Sequence, residues 1–587
     1  MKVDKTWIGQ MKRADFTAIA KRFGIDPVTA RIIRNKDIVT DEEIDRYLNA
    51  SKEDLYHPAL MKDIGLAAGI LQCNIKEQKH IRIIGDYDAD GINATYILYK
   101  ALSDLGAQVS WDIPHRIHDG YGINVRMVEK ADKDGADTII TCDNGIAARE
   151  AITRAKELGM TIIVTDHHEP PLDEDGQQII YEADALIDPK QDACNYPYKD
   201  LCGAAVAYKL MCYLYEQMGR DAEQMDDLLE NVGIATITDV MPLTGENRIL
   251  VKEGLKRLAH PRNPGIKALM YQLGIEPEGI RPYHIGFEIG PCLNATGRID
   301  SASRAMQLLL TQEANVAGTI AAELVDLNTQ RKEMTRQGEL QAIEYVEEHF
   351  DEHTQVFIIY LPQCHESIAG IIAGHVKERY HRPTIVLTDA KACIKGSGRS
   401  IEEYNMFEGI NECKETLLKF GGHPLAAGIS LAPEQLAEFT KRINEKAQLT
   451  KEDLKKKYYI DVPMPFSYVT LNLVREFSVL EPFGKDNERP LFMQKDAQIV
   501  SARVFGEKKN VLKLMAVTPE GNGRYELIAF ADQAKRFMEY MDEKFGENTF
   551  ENMLKGQCMQ VVSFVYRPKI NTYRGRDSIQ FEIVDFL

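Results

Sequence analysis

Five short apolar runs between residues 80 and 189, each ending in polar or acidic side chains, constrain this chain more than any other feature. HIRIIGD, AQVSWDIP, DTIITCDN, MTIIVTDHH and ADALIDP have the length and β-branched content of buried strands. The stretches between them, such as 94–105 and 147–158, read as helices. Alternation of this kind dictates a mostly parallel, doubly wound sheet, because parallel neighbours need crossover connections. At 587 residues the chain exceeds what one hydrophobic core supports, so the expected fold class is multidomain α/β.

The strand ends carry the chemistry. HIRII runs into Gly85-Asp86-Tyr87-Asp88-Ala89-Asp90-Gly91, TIIT into Cys142-Asp143-Asn144-Gly145, and TIIVT into Asp166-His167-His168. In an open parallel sheet the ligand crevice lies at the carboxyl ends of the strands. Three consecutive β–α units therefore aim Asp88, Asp90, Asp143 and His167 at one place. Carboxylates gathered without cations repel one another, and bound divalent ions relieve that repulsion. Oxygen ligands with one or two imidazoles suit Mn²⁺ or Mg²⁺ better than a structural zinc site. A paired-metal centre suits in-line attack on phosphorus. Taken singly, DxDxDG reads as an EF-hand loop or a polar turn, Asp-Asn-Gly as a turn, and the adjacent histidines as surface residues; three such segments closing neighbouring buried strands outweigh those readings.

The rest of the chain falls into further segments. Residues 1–55 read as short helices, with Thr40 ahead of three acids as a helix start. The parallel-sheet domain is expected over 56–240. Residues 241–350 form a helical region that ends in a long charged helix over 315–349, a connector by its length. A second α/β unit is expected over 351–450. From 451 to 587, runs such as NVLKLMAV and SIQFEIVDF alternate apolar and polar residues, as the strands of a small β-barrel do.

The net charge of −18 argues against an indiscriminate polyanion binder, although a metal-binding acid cluster itself contributes to it. Ten cysteines without a CxxC pair, no signal-peptide core at the N-terminus and no membrane-length apolar stretch together predict a cytoplasmic protein with reduced thiols.

GDYDADG, CDNG and DHH resemble the successive motifs of the DHH phosphoesterase family, and the likeness is to its branch that degrades single-stranded DNA. It continues through IPHRIHDGYGIN, LCGAAVAYKL, ATITDVMPLTGENR, LNATGRI, HESIAGIIAGHVKERYHRPTIVL, GSGRS, FGGHPLAAG, EPFGKDN and NTYRGRDSIQFEI, nearly the whole chain. The resemblance implies metal ligation by Asp88, Asp90, Asp143, His167 and Asp239, and places Asp86 and His168 beside the metals. Asp239 rests on the resemblance alone, since by itself it is an ordinary acid after a helix. Asp166 is expected to orient a ligand, and Asp188 to line the site. FGGHPLAAG resembles the signature of the DHHA1 domain, with Gly421 and Gly422 allowing close backbone approach to a phosphate and His423 able to donate to it. Arg116, Asn294, Arg298, Ser397 and Arg399 are candidate phosphate or nucleotide contacts, because the guanidinium fork matches phosphate oxygens. Cys292 stands where the family usually has an arginine, which bears on substrate grip rather than chemistry.

The C-terminal region resembles an OB-fold, in which Phe505, Lys508, Lys509, Arg567, Lys569, Tyr573, Arg574 and Arg576 supply the residue types that stack bases and track a single strand; Tyr573 and Arg574 are favoured. The family implies 5′→3′ removal of 5′-mononucleotides from single-stranded DNA with two Mn²⁺ or Mg²⁺ ions. It also implies a role in recombination and repair, with a single-strand-binding protein and a RecQ-type helicase as partners; no membrane association is expected, and a monomer is expected. Two alternatives stay open: a phosphodiesterase for oligonucleotides or cyclic dinucleotides, and a non-catalytic replication scaffold.

Overall fold

The computed structural model describes residues 3–116, 118–299, 301–506, 510–519, 521 and 523–587. Lys508 and Lys509 lie outside the described residues. The chain forms two compact units, one comprising 1–4, 51–455 and 484–486, the other 5–50, 456–483 and 487–587.

In the first unit, five strands form an all-parallel sheet in the order Gln108–Asp112, His80–Ile84, Thr138–Cys142, Thr161–Thr165 and Ala185–Ile187. Its central strands are covered on both faces, which is why they read as unbroken apolar runs: Ile81, Ile83, Ile139, Ile140, Ile162, Ile163 and Val164 are fully buried. The doubly wound sheet expected from the alternation is present.

A second, mixed sheet runs Lys419–His423, Ala426–Leu431, Ile394–Arg399, Thr384–Asp389 and Phe357–Tyr360, and only its last two strands are parallel. The helix Ala314–His349 joins the two lobes. It is more than a tether. Ile320, Ala321 and Leu324 pack into the core of the first lobe, whereas Ala342 and Val346 pack into that of the second. Gly338 lets Ile372 approach, since a Cβ there would lie 2.4 Å from its Cδ1.

In the second unit, strands Phe492–Phe505, Val511–Val517, Arg524–Phe530, Arg576–Phe586 and Gln560–Tyr573 pair in ring order. The seam between Arg524–Phe530 and Arg576–Phe586 holds only two residue pairs, in parallel register. The N-terminal segment belongs to this unit: Val28, Ile32, Ile33 and Ile44 share a core with Phe466, Phe477 and Phe492. The all-helical reading of the first 55 residues needs one correction. Lys5–Gly9 is a strand, paired in parallel with Lys456–Ile460. Its partner lies some 450 residues away, and Asp585 anchors it by accepting from Lys5 Nζ at 2.6 Å and Trp7 Nε1 at 2.8 Å. No helix among the described residues is long and apolar enough to cross a membrane.

Candidate active site

The parallel strands deliver their acids as expected, and each acid is fixed by a local device. Asp88 caps the helix Ala89–Asp104, its carboxylate accepting from the backbone N–H groups of Asp90 and Gly91 at 2.9 and 3.1 Å. Asp90 accepts from Gly203 and Ala204 at 2.6 and 2.8 Å, at the N-terminus of the helix Gly203–Gln217. Asp143 adopts a left-handed backbone at φ 61°, which turns the strand end over the sheet. Asn144 clamps that turn by donating to the carbonyls of Ile84 and Cys142 and accepting from Ile123 N–H. Asp239 terminates the helix Leu229–Thr238.

These groups meet. His167 Nε2 lies 3.0 Å from Asp143, 3.6 Å from Asp90 and 3.7 Å from Asp239. Asp86, Asp88 and Asp143 offer oxygens within 4.8 Å of one another, as do Asp90, His167 and Asp239 for their ligand atoms, and Asp143, His167 and His168. Asp86, Asp90, Asp143 and His167 are each at most 5% exposed.

Burial and mutual charge set the protonation. Asp86 is raised well above the usual carboxylate range by burial and then by Asp88. Asp143 and Asp239 are raised by burial and then by the charge of Asp90. Asp90 is pushed up to about 6 by burial and by Asp88. Burial and the neighbouring His168 bring His167 down to about 3, so it is a neutral imidazole able to ligate. His168 behaves oppositely. Burial lowers it, but the hydrogen bond and charge of Asp166 win and push it up to about 9. Asp166 in turn, despite burial, is held down to about 2 by His168. Asp166 Oδ1 accepts from His168 Nδ1 at 2.7 Å, and Oδ2 from Ile146 N–H at 2.9 Å, so its side chain holds the ring of His168 rather than that of the expected ligand His167.

The donor set passes a direct test for hard divalent ions. It consists of carboxylate oxygens and one neutral imidazole, burial and mutual charge raise Asp86, Asp90, Asp143 and Asp239, and Asp86 Oδ2 is buried with no hydrogen-bond partner. Asp188 stands slightly apart: buried, with Oδ2 unpaired, pushed up to about 8 by burial and then by Asp166. It joins none of the three ligand groups.

Two residues escaped the reading of the sequence. Tyr121 donates its hydroxyl to the Asp143 carbonyl at 2.7 Å and packs against the His168 ring. Gly203 leaves room for the Asp143 side chain, whose Cβ would lie 2.6 Å from a Cβ at 203. Only the wider motifs IPHRIHDGYGIN and LCGAAVAYKL signal either.

Beside the acids lies a cavity of about 370 Å³ lined by Tyr87 and Arg116 from the first lobe and by Ser367, Lys395, Ser397, Lys419, Phe420 and Gly421 from the second. Arg116 stacks over Tyr87 at 5.0 Å. Arg298 Nη1 donates to the carbonyl of Ser367 at 2.7 Å, and Arg399 Nη1 to that of Gly398 at 2.7 Å. Burial and then the charge of Arg116 lower both Arg298, to about 10, and Arg399. Mutually repelling guanidinium groups paired with carbonyls rather than carboxylates leave their charge for an anion. Asn294 plays a different part, accepting from Ala89 N–H at 2.7 Å and so bracing the loop that carries Asp88.

Gly422, at φ 152°, lies in the hairpin, where a Cβ would strike Ala426 O at 2.4 Å, and His423 is exposed at the end of its strand. Cys292 is buried, its Sγ receiving Asn328 Nδ2 at 3.3 Å, and Asn328 holds Arg331 through two hydrogen bonds.

In the second unit, Tyr573 is exposed with Arg574 over its ring at 5.3 Å, and Phe505 and Arg576 are exposed. Lys569 is engaged by Glu582 at 2.7 Å, and Arg567 is half-buried.

Family models match three segments: the DHH family N-terminal domain over 80–236, the DHHA1 domain over 353–449 and the RecJ OB domain over 460–585. The Bacillus subtilis single-stranded-DNA-specific exonuclease RecJ is 35% identical over 85% of this chain, which spans 62% of that protein's length. The Haemophilus influenzae protein of the same name is 31% identical over 96% of both chains. Among solved structures, RecJ from Thermus thermophilus in complex with Mn²⁺ superposes with a TM-score of 0.82 at 24% identity, over 100% of this chain and 80% of that one. An exonuclease RecJ bound to manganese superposes with a TM-score of 0.58 at 29% identity, over 67% of this chain and 98% of that one. Identity of 31% sustained over almost the full length of both proteins puts the family beyond the reach of a shared fold alone, and the chain belongs to the family of the single-stranded-DNA-specific exonuclease RecJ.

Proposed function

We propose that this protein is a metal-dependent exonuclease that degrades single-stranded DNA from the 5′ end, releasing 5′-mononucleotides. The observation that carries the reading is the meeting of five carboxylates and a neutral imidazole beside a cavity of about 370 Å³ whose lining includes Arg116, Lys395, Lys419 and Ser397. Asp88, Asp90, Asp143, His167 and Asp239 would hold two divalent ions, Mn²⁺ or Mg²⁺, and manganese is what a solved relative binds. Such ions, when bound, make hydroxide available at neutral pH and neutralise charge on the phosphoryl oxygens.

The chain's own side chains do the rest. His168, charged at neutral pH, donates to a non-bridging phosphate oxygen, and Asp166 keeps it charged and aimed. Arg116, Arg298, Arg399 and Ser397 grip the terminal phosphate and fix the scissile bond relative to the acids. Asp86 and Tyr121 hold the neighbouring loops, Asp86 accepting from Gly122 N–H at 3.2 Å. Gly421, Gly422 and His423 present backbone and imidazole to the nucleotide, and Tyr573 and Arg574 of the OB domain stack and track single-stranded DNA.

The process served is recombination and repair in the cytoplasm, as a monomer working with a single-strand-binding protein and a RecQ-type helicase that supply unpaired ends. The test is to offer 5′-labelled and 3′-labelled single strands with Mn²⁺ to the wild type and to Asp143→Ala. Early release of the 5′ label as mononucleotide, absent in the variant, is expected; first release of the 3′ label, or an active variant, overturns the reading.

A further inference from the structure

Residues 282–299 form one helical run: a short turn at Pro282–His284, a π-helical stretch at Ile285–Ile289, and the helix Gly290–Ile299. This rod touches both sides of the acid cluster. On one side Asn294 accepts from Ala89 N–H, and Gly297 lies so close to Tyr87 that a Cβ would sit 2.3 Å from its carbonyl oxygen. On the other, a Cβ at Gly290 would lie 2.1 Å from Thr238 Cγ2, one residue before Asp239. The C-terminal end of the rod carries Arg298, beside the cavity.

Its N-terminal end carries something nothing above uses. Tyr283 and Phe287 stack on each other, with centroids 5.0 Å apart and planes 26° apart, yet are 59% and 65% exposed. Tyr283 lies on the turn before the π-helical stretch and Phe287 within it, their stacking turns both rings the same way, and such stretches recur at functional sites. The rod packs on the helix that ends at Asp239. Gly286 approaches Ile237, and Val240, 61% exposed and held at φ 56°, follows Asp239 directly. Phe287 precedes Arg298 by about 16 Å along the rod at ~1.5 Å per residue, the scale of a few nucleotides.

We propose that Tyr283 and Phe287 are a stacking platform for unpaired nucleobases on the 3′ side of the scissile phosphodiester. The inference rests on the nuclease reading above and extends it. A strand whose terminal phosphate is held at the Arg298 end lays its next bases along the rod toward the rings. Bases locked in a duplex cannot turn their faces to the rings, so the platform contributes to single-strand preference. Exposed aromatic faces accept any base, which suits a sequence-tolerant enzyme.

The test compares the full-length wild type, Tyr283→Ala/Phe287→Ala and Tyr283→Trp/Phe287→Trp on a 5′-phosphorylated twelve-residue oligothymidylate with Mn²⁺. Removing the rings is expected to raise KM about tenfold, the loss of roughly one base–aromatic stack, with kcat held. The tryptophan pair is expected to return KM to within about twofold of wild type. Both positions are exposed, and an unchanged melting temperature checks that the fold is intact. If the wild type degrades the strand and KM is unmoved, the rings serve something else, such as a protein partner, and the platform alone falls. A fall in kcat that tryptophan does not restore also overturns it, because that marks a structural role. If the wild type degrades no single strand, the nuclease reading and the platform fall together.

Discussion

Replacing Asp143 with asparagine should make the metal-free protein more stable while destroying its function. Asp86, Asp88 and Asp143 place oxygens within 4.8 Å of one another. Two unit charges at that separation repel by about 3 kcal/mol at an effective dielectric of ~20. Asp90, in the same cluster, is pushed up from 3.8 to about 6, first by burial and then by the charge of Asp88, and ~2 pKa units correspond to about 3 kcal/mol for these causes together. Asparagine removes the charge, keeps the shape and tolerates the left-handed backbone at this position better than most residues. For a unit of roughly 400 residues, unfolding entropy of ~2.1 cal/mol/K per residue gives about 0.85 kcal/mol/K. Relief of about 3 kcal/mol therefore raises Tm by about 3–4 °C in chelator-treated protein at pH 7.5. An acid whose pKa is raised by folding costs nothing below its unfolded value and its full penalty above its folded value. The gap between variant and wild type should accordingly close as pH falls from neutrality toward the ordinary carboxylate range. Saturating Mn²⁺ should stabilise the wild type, by about 2.7 kcal/mol at a hundredfold excess over Kd, and the variant less. Calorimetric melts with and without Mn²⁺ read all of this. A metal-free variant that melts at or below wild type would show that these carboxylates are not in mutual repulsion, and the metal-site argument would lose its electrostatic basis.

Other consequences are equally open to measurement. His168→Gln removes a charged donor to the phosphate and should lower kcat about 10²–10³-fold with little change in KM, in steady-state kinetics on labelled oligonucleotides. Asp166→Asn should leave the imidazole present but less basic. The activity that depends on its charge, retained in the wild type up to about pH 9, should then be lost at lower pH, as a pH–rate profile would show. Gly203→Ala drives a methyl group into Asp143 and should weaken Mn²⁺ binding by isothermal titration without unfolding the OB domain. Asn294→Ala leaves the Ala89 N–H without its acceptor and should cost about 1–3 kcal/mol of stability, with a matching loss of metal affinity because the Asp88 loop is released.

Legibility of the fold and site in the sequence follows from how locally each feature is encoded. Asp88, Asp90, Asp143 and His167 could be found because a parallel sheet turns sequence position into spatial position: whatever follows a buried strand arrives at the same edge. Asp239 has no such address. It ends a helix, and its approach to His167 depends on where the helices at 203–217, 229–238 and 290–299 pack, which periodicity does not reveal. The N-terminal strand was invisible for a related reason, since five residues become a strand only beside a partner some 450 positions away. The arginines show a third limit. Arg116, Arg298 and Arg399 sit in unrelated segments, and only the tertiary structure shows that they crowd one another, Arg298 and Arg399 on backbone carbonyls and Arg116 over the Tyr87 ring. The same helix that braces the acid loop through Asn294 reaches the second lobe through Arg298, and Ala314–His349 is packed into the cores of both lobes. The grip on the phosphate and the acids that would act on it are thus set by one continuous packing arrangement. A shift of the second lobe therefore has to move the phosphate relative to the acids, which makes the packing between lobes, and not the ligand set alone, a determinant of where the strand is cut.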